Sequence, residues 1–113
     1  MPSPIPVVSV EAFAQRLAEG DRPQLIDVRE PHEVEIAAVE GFQVRPLSQF
    51  EDWSPRIAVD FDADAETYVL CHHGVRSDQM CHWLQQNGFT NVINIGGGID
   101  AYSLRVDRSI PRY

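Results

Sequence analysis

Apolar residues recur along this chain with two spacings, one typical of helices and the other typical of buried strands. Over Val10–Ala18 they recur every three to four residues, which predicts an amphipathic helix that Ser9 caps and Gly20 ends. Two short runs, residues 25–28 and Thr67–Leu70, are almost wholly apolar and predict buried strands. The chain therefore combines a core-facing helix with strands suited to the interior of a sheet.

Helical and strand patterns alternate over the rest of the chain. The further predicted strands cover residues 5–8, 42–47 and 89–95, and the further predicted helices cover Pro31–Ile36, Val75–Gln86, residues 99–104 and a short segment near Trp53. Such alternation is typical of α/β proteins, in which helices join successive parallel strands. We therefore predict an α/β fold with a mainly parallel sheet of about five strands and helices on both faces.

Length and composition limit the organisation of the chain. With 113 residues, of which 43% are hydrophobic, it can form one core, so residues 1–113 are predicted to be a single domain. No stretch approaches the ~20 apolar residues of a membrane span. Residues 1–4 lack the charged and apolar segments of a secretion signal, which predicts a cytoplasmic protein.

Charge and cysteine content disfavour several classes of partner and site. Nine basic and seventeen acidic residues give a net charge of −8, which disfavours nucleic acid and anionic membranes because their phosphates would be repelled. Cys71, Cys81 and four scattered histidines show neither a disulfide framework nor the spacing of a metal site. We therefore expect free thiols, no metal and no cofactor.

The segment Cys-His-His-Gly-Val-Arg-Ser at residues 71–77 carries the most specific chemistry, because it directly follows a predicted strand. A thiol reacts as the thiolate, and at an ordinary pKa of ~8.5 it is mostly protonated at neutral pH. A helix that begins near Val75 or Ser77 would direct unpaired N–H groups and its positive dipole end at the sulfur of Cys71, and Arg76 adds a full charge. The sequence thus predicts a sulfur nucleophile in a loop that also binds an anion.

Three polar or glycine-rich segments each follow a predicted strand. They are residues 27–29, the loop at 71–77 and the turn at 96–98. In open parallel sheets, ligands bind outside the carboxyl ends of the strands. We therefore expect the three segments to meet at one edge of the sheet.

Three segments in this order resemble the signatures of a known family. Leu-Ile-Asp-Val-Arg-Glu at 25–30, Cys-x-x-Gly-x-Arg-Ser at 71–77 and Gly-Gly-Ile-x-Ala-Tyr at 97–102 are similar to the three signature segments of the rhodanese-like (sulfurtransferase) domain. The tail, residues 106–113, is similar to the ends of rhodanese domains appended to E1-like adenylyltransferases that activate sulfur-carrier proteins. Residues 37–41 differ from the family, since many members have a Gly-His-Ile segment there.

The resemblance implies a reaction at Cys71. This cysteine would accept a sulfane sulfur from a donor such as thiosulfate, become a persulfide, and pass the sulfur to an acceptor such as cyanide, a protein thiol or a sulfur-carrier protein. The turn at residues 71–76 would direct a ring of N–H groups at the sulfur, and Gly74 would supply the positive φ that a tight turn needs. Arg76 would bind the anionic donor or steady the loop.

Around Cys71, the residues predicted to bind substrate are His72, His73, Gly74, Val75, Arg76 and Ser77. The side chains of the two histidines are expected to point out of the loop toward substrate, either acting themselves or contributing only backbone N–H groups.

Three further residues have predicted supporting or structural roles. Asp27 and Arg29 support the site, because an acid at the end of a buried strand needs a partner; an ion pair of Arg29 with Glu33 or Glu35 is expected. Cys81 is expected to be a core residue.

Two other functions compete with sulfur transfer. A non-catalytic rhodanese-like docking or regulatory module is one alternative, although such modules typically lose the cysteine that this chain keeps. A cysteine-dependent phosphatase is the other, less favoured one. Phosphatase loops have one more residue between cysteine and arginine than the four residues that separate Cys71 from Arg76, and the smaller loop suits a sulfur atom better than a phosphoryl group.

Overall fold

The computed structural model of this chain describes residues 4–113, over which strands and helices alternate. The strands are β1 Val7–Val8, β2 Gln24–Asp27, β3 Gln43–Val44, β4 Thr67–Leu70 and β5 Val92–Ile95. The helices are α1 Val10–Ala18, α2 Pro31–Ile36, α3 Phe50–Trp53, α4 Ile57–Asp60, α5 Val75–Gln86 and α6 Gly98–Arg105, with single 3-10 turns at Leu47–Gln49 and Ser54–Arg56.

The five strands form one sheet in the order β1-β5-β4-β2-β3, and every neighbouring pair is parallel. Asp27 at the end of β2 lies opposite Leu70 at the end of β4, and Val69 lies opposite Asn94 of β5. The carboxyl ends of these strands therefore reach the same edge of the sheet. This architecture confirms the predicted α/β fold with a parallel five-stranded sheet.

Helices cover both faces of the sheet, as predicted, and each face has its own hydrophobic cluster. The cluster on the side of α3, α4 and α5 contains Ile26, Val28, Trp53, Ile57, Phe61, Val69, Cys71, Met80, Cys81, Leu84, Phe89 and Val92. The cluster on the side of α1 and α6 contains Val10, Phe13, Leu25, Ala37, Tyr68, Leu70, Ile93, Ile95 and Ile99. Because side chains alternate along a strand, Tyr68 and Leu70 face α1 and α6, whereas Val69 and Cys71 face α5.

Three strand predictions are too long. β5 begins at Val92 rather than at residue 89, because the N–H of Phe89 donates to the carbonyl of Leu84 and closes the end of α5 instead of joining the sheet. The edge strands β1 and β3 have two residues each. Pro6 borders β1, and proline lacks the N–H that would extend its pairing with β5.

The segments outside the sheet pack against it through specific contacts. Between β3 and β4, Trp53 is buried, and its indole N–H donates to the carbonyl of Pro46 at 2.7 Å. Residues 107–113, here called the C-terminal strap, fold back along α6, where Arg112 pairs with Asp100 at 3.0 Å. None of the helices in the described range is both long and apolar enough to cross a membrane.

Candidate active site

Cys71 occupies the first position after β4, at the edge where the parallel strands end. Its side chain faces α5, and the residue is only 1% exposed. Two polar groups contact its sulfur: the backbone N–H of Gly74 donates to Sγ at 2.9 Å, and Ser77 Oγ lies 3.2 Å from Sγ. The sulfur is therefore hydrogen-bonded although it is buried.

The second cysteine has a different environment. Cys81 lies on the inward side of α5 in the same hydrophobic cluster, and burial raises the pKa of its thiol to about 12. Within residues 4–113, no hydrogen bond reaches its sulfur. This environment agrees with the prediction that Cys81 is a core residue, and it leaves Cys71 as the candidate nucleophile.

The loop enters α5 at Gly74, whose φ of +104° favours a residue without a side chain, as predicted. The helix begins at Val75, also as predicted. The prediction of a ring of N–H groups around the sulfur is wrong for this conformation: in the described part of the chain, Gly74 is the one residue whose backbone N–H bonds to Sγ. Sγ instead lies against α5, 3.2 Å from Ser77 Oγ and within the cluster that contains Met80 and Cys81.

The glycine turn before α6 packs against the Cys71 loop. The backbone N–H of Ile99 donates to the carbonyl of Cys71 at 2.9 Å, and that of Asp100 donates to the carbonyl of His72 at 3.1 Å. These bonds use N–H groups that the first turn of a helix leaves unpaired. The turn at residues 96–98 and the Cys71 loop therefore meet at one edge of the sheet, as predicted.

Arg76 reaches from α5 to α2. Its two terminal nitrogens donate to the two carboxylate oxygens of Glu33, each at 2.8 Å. Hydrogen bonds from Arg76 lower the pKa of Glu33 to about 2, and Glu33 in turn raises the pKa of Arg76. Of the two roles predicted for Arg76, this geometry supports the steadying of the loop.

Asp27 and Arg29, the predicted supporting residues, form a buried ion pair. Arg29 is 0% exposed, and its Nη2 lies 2.7 Å from Asp27 Oδ2. The backbone N–H of Arg29 also donates to Asp27 Oδ1 at 3.0 Å. The predicted pairing of Arg29 with Glu33 or Glu35 is therefore wrong. Arg76 occupies the Glu33 carboxylate, so Arg29 reaches only the backbone oxygen of that residue.

Tyr113, which the sequence analysis did not single out, connects these two ion pairs. Its hydroxyl accepts from Arg29 Nη1 at 2.9 Å and donates to Glu33 Oε1 at 3.0 Å. Its ring stacks on that of His72 with centroids 3.9 Å apart. The family resemblance of residues 106–113 was the only sequence signal for this segment, and it does not show that Tyr113 meets a residue 80 positions away.

The two loop histidines differ from each other. His73 extends toward solvent, as predicted, with a side chain that is 61% exposed. The prediction is wrong for His72, whose ring lies between those of His73 and Tyr113 and whose Nε2 is buried without a hydrogen-bond partner among the described residues. Burial lowers the pKa of His72, so its ring is uncharged at neutral pH. Val75 extends into solvent and is 67% exposed.

Three possible metal ligands lie together beside the loop. The candidate ligand atoms of His72, His73 and Asp100 are all within 4.8 Å of one another. However, the two imidazole rings are stacked at 4.0 Å with 29° between their planes, so their nitrogen lone pairs lie in separate planes and do not converge on one point. The Asp100 carboxylate already accepts hydrogen bonds from Arg112. This geometry does not favour a bound ion.

The Glu33–Arg76 ion pair should make stability depend on pH. The folded-state pKa of Glu33, about 2, lies below its ordinary value of 4.5, so the pair stabilises the fold above that value and is lost as the pH falls toward 2. We expect Glu33→Gln to lower the free energy of unfolding by about 2 kcal/mol at neutral pH. Urea unfolding across the acid range should show the difference from wild type shrinking as the pH falls.

The matched control for this prediction is Glu35→Gln, which changes an exposed carboxylate on the same helix. Its effect on the free energy of unfolding should stay within ~0.5 kcal/mol at every pH. A difference between Glu33→Gln and wild type that does not vary between neutral and acid pH would contradict the predicted ion-pair contribution.

Comparison with known proteins gives a consistent result. Residues 9–105 match the family described as the rhodanese-like domain. The rhodanese-like/PpiC domain-containing protein 12, chloroplastic, of Arabidopsis thaliana is 49% identical over 113 residues, which cover 97% of this chain. The chain spans 38% of the length of that relative. A sulfurtransferase of Allochromatium vinosum is 29% identical over 96 residues, which cover 85% of this chain and 86% of the relative.

Solved structures show the same fold. A rhodanese-like domain protein from Staphylococcus aureus has a TM-score of 0.77 to this chain, covering 96% of this chain and 99% of its own. The sequence identity over that match is 23%, so the likeness bears on the fold alone.

Proposed function

Because this chain belongs to the rhodanese-like domain family, we propose that it is a sulfurtransferase in which Cys71 carries the transferred sulfur as a persulfide. The observation that carries the proposal is the polar surrounding of Cys71 Sγ, which accepts from the N–H of Gly74 and lies 3.2 Å from Ser77 Oγ. A purely structural thiol would resemble Cys81, which lies in an apolar environment. A relative that matches over most of its length carries the name sulfurtransferase, which supports the same reaction.

The proposed reaction has two displacement steps. Cys71 first loses its thiol proton to solvent, and the thiolate attacks the outer sulfur of a sulfane donor such as thiosulfate. The sulfur–sulfur bond of the donor breaks, and sulfite leaves with the bonding electron pair. A second nucleophile, such as cyanide or a protein thiolate, then attacks the outer sulfur of the persulfide, and Cys71 leaves as a thiolate.

Several groups at the loop are suited to stabilise the anions of this reaction. The N–H of Gly74 donates to Sγ, and the positive end of α5 lies beside it. Arg76 adds a charge that interacts with Cys71. Because Cys71 is 1% exposed, the donor reaches the sulfur only when the loop side chains move apart. We propose that the exposed side chains of His73 and Val75 contact the donor or the acceptor.

Thiosulfate is the proposed class of donor, and a protein thiol or a sulfur-carrier protein is the proposed acceptor. The net charge of −8 makes a large anionic partner such as nucleic acid unfavourable, whereas a small anion can be bound by the local positive potential at α5. We also propose a cytoplasmic location, because both cysteines are free thiols and a reducing compartment keeps thiols free; the Arabidopsis relative is chloroplastic by name.

Incubation of the reduced protein with thiosulfate should add the mass of one sulfur atom to wild type and none to Cys71→Ala. Intact-mass spectrometry measures the product directly. Cys81→Ala is the matched control, because Cys81 lies in the same hydrophobic cluster as Cys71, and this variant should load sulfur as wild type does. Sulfur retained by Cys71→Ala would contradict the proposal, and no adduct on wild type with any common sulfane donor would favour the docking module.

The phosphatase alternative is tested with the same variants. Only four residues separate Cys71 from Arg76, and the Arg76 guanidinium is bound to both oxygens of Glu33 rather than free for a phosphoryl group. We expect no appreciable hydrolysis of aryl phosphates. Hydrolysis that disappears in Cys71→Ser would favour the phosphatase.

A further inference from the structure

A chain of hydrogen bonds leads from Cys71 to Asn94, a residue of β5 that has no role in the site described above. Ser77 is 0% exposed and Asn94 is 4% exposed. Ser77 Oγ lies 3.2 Å from Cys71 Sγ and 2.5 Å from Asn94 Oδ1. Asn94 Nδ2 donates to the carbonyl of Gly74 at 3.0 Å. The buried chain therefore begins at the sulfur and ends on the loop that holds it.

The number of available donor protons fixes the direction of each hydrogen bond between Cys71, Ser77, Asn94 and Gly74. The carbonyl oxygen of Gly74 can only accept, so the amide of Asn94 must present Nδ2 to it and Oδ1 to Ser77. The flipped amide would place two acceptor oxygens 3.0 Å apart. Because Oδ1 carries no proton, the single hydroxyl proton of Ser77 points to Asn94. Only lone pairs of Ser77 then face Cys71, and the sulfur contact is a bond that the S–H group donates.

We propose that Asn94 is a positioning residue that holds the Ser77 hydroxyl as an acceptor and thereby favours the thiol form of Cys71 before sulfur arrives. A bond that the neutral form donates stabilises the neutral form, whereas a donor aimed at the sulfur would stabilise the thiolate. After Cys71 loses its proton, Ser77 can bond to the sulfur only by turning its hydroxyl away from Asn94. The consequence for sulfur transfer rests on the proposed function.

This arrangement keeps the nucleophile in its less reactive thiol form before sulfur arrives. While Ser77 accepts from the thiol, Gly74 supplies the one backbone N–H among residues 4–113 that bonds to the sulfur and can stabilise a thiolate, so the resting cysteine resists alkylation and oxidation. Rotation of the Ser77 hydroxyl toward the sulfur adds a second donor. Asn94 opposes that rotation, because its Oδ1 would lose the Ser77 hydrogen bond.

Other titratable groups around Cys71 do not produce the same behaviour. Arg76 and Cys81, which both interact with Cys71 from α5, have raised pKa values, about 12 for Cys81, so neither titrates near neutral pH. His72, in the loop itself, has a pKa lowered by burial and stays uncharged there. Ser77 and Asn94 do not titrate, so a substitution at Asn94 changes the hydrogen bonding at the sulfur and leaves the charges in place.

The test is the pH dependence of Cys71 alkylation by iodoacetamide in the reduced protein, without any sulfur donor. Asn94→Leu replaces the amide that accepts from the Ser77 hydroxyl by an apolar side chain of similar size. The carbonyl of Gly74, which loses its bond from Asn94, still accepts from the N–H of Asp78 at 3.3 Å. The freed Ser77 proton should turn to the sulfur. We expect the midpoint of the profile to fall by about one pH unit and alkylation at pH ~7 to become about tenfold faster, the effect of one hydrogen bond to an ionised group.

Ser77→Ala provides the matched comparison. Alone, it removes an acceptor of the thiol and should leave the midpoint unchanged or slightly lower. In a protein that carries Ser77→Ala, Asn94→Leu should not shift the midpoint any further, because the hydroxyl that connects Asn94 to the sulfur is gone. Three results would overturn the proposal: a higher midpoint in Ser77→Ala, an unchanged midpoint in Asn94→Leu, or an equal effect of Asn94→Leu with and without Ser77.

Two features keep these outcomes unambiguous. The midpoint of the pH profile does not depend on how often the loop opens, so a changed opening rate cannot imitate the expected shift. If thermal unfolding shows that Asn94→Leu does not fold, Ser77→Ala decides alone: a higher midpoint overturns the proposal, and an unchanged or lower one supports it. Sulfur loading is measured separately by mass, so failure of this inference and failure of the proposed function are distinguishable.

Discussion

Replacement of Asp27 by Ala is expected to lower the free energy of unfolding by about 3–5 kcal/mol, the usual cost of removing one partner from a buried ion pair. Arg29 is 0% exposed, so the substitution leaves its guanidinium charge inside the fold without a counter-ion. It also leaves the backbone N–H of Arg29 without its acceptor, Asp27 Oδ1. Urea unfolding at neutral pH measures the loss, and Asp27→Asn gives a milder form of the same change.

Two controls separate burial from charge. Glu19 pairs with Arg16 on the surface, and the Glu19 side chain is 62% exposed. Glu19→Ala should therefore cost less than ~0.5 kcal/mol of the free energy of unfolding. The double variant Asp27→Leu with Arg29→Met removes both buried charges and should recover a large part of the loss, because an apolar pair avoids the desolvation cost. A loss below ~1 kcal/mol in Asp27→Ala would contradict the assignment of this ion pair as a structural support of the site.

Replacement of Gly98 by Ala is expected to cost at least about 3 kcal/mol and to move α6 away from the Cys71 loop. A Cβ at this position would lie 2.5 Å from the carbonyl oxygen of Cys71 and closer still to that of His72, and both atoms belong to backbone. The residue also has φ of +60°, which a side chain disfavours. Relief of the clash breaks the bonds that the N–H groups of Ile99 and Asp100 donate to the loop.

Gly88→Ala is the matched control for this substitution. Gly88 has φ of +92°, but a Cβ there would meet nothing within 4 Å. Gly88→Ala should therefore cost only the conformational penalty, on the order of 1 kcal/mol. Thermal unfolding compares the two variants, and iodoacetamide labelling of Cys71 should be faster in Gly98→Ala. Equal stability losses in the two variants would show that contact with the loop contributes nothing.

Local patterns predicted the helices best. The predicted and observed bounds of α5 are the same, Val75–Gln86, because the signals at its ends are local: the turn at Gly74 starts it, and Asn87 with Gly88 ends it. Strand ends were less predictable, since a strand ends where its neighbour stops pairing. Phe89 is apolar and buried like a strand residue, yet its N–H bonds to α5.

Pairings between charged side chains were not predictable from sequence spacing. Glu33 and Glu35 both lie within reach of Arg29 along the chain, but Arg29 pairs with Asp27 and Glu33 pairs with Arg76, which is 43 residues away. Tyr113 and Asn94 were missed for the same reason. Their partners lie on other elements, and a hydrogen bond depends on distances of a few tenths of an ångström that a single sequence does not encode locally.

The sequence by itself determined the order of elements, the parallel sheet and the position of Cys71 after a strand, because periodicity, caps and glycines act over a few residues. Only the tertiary structure decided that the sulfur faces Ser77 beneath α5, that Arg76 binds Glu33, and that the C-terminal strap covers His72. These contacts join residues far apart in the chain, and their geometry exists only once the sheet and helices have packed.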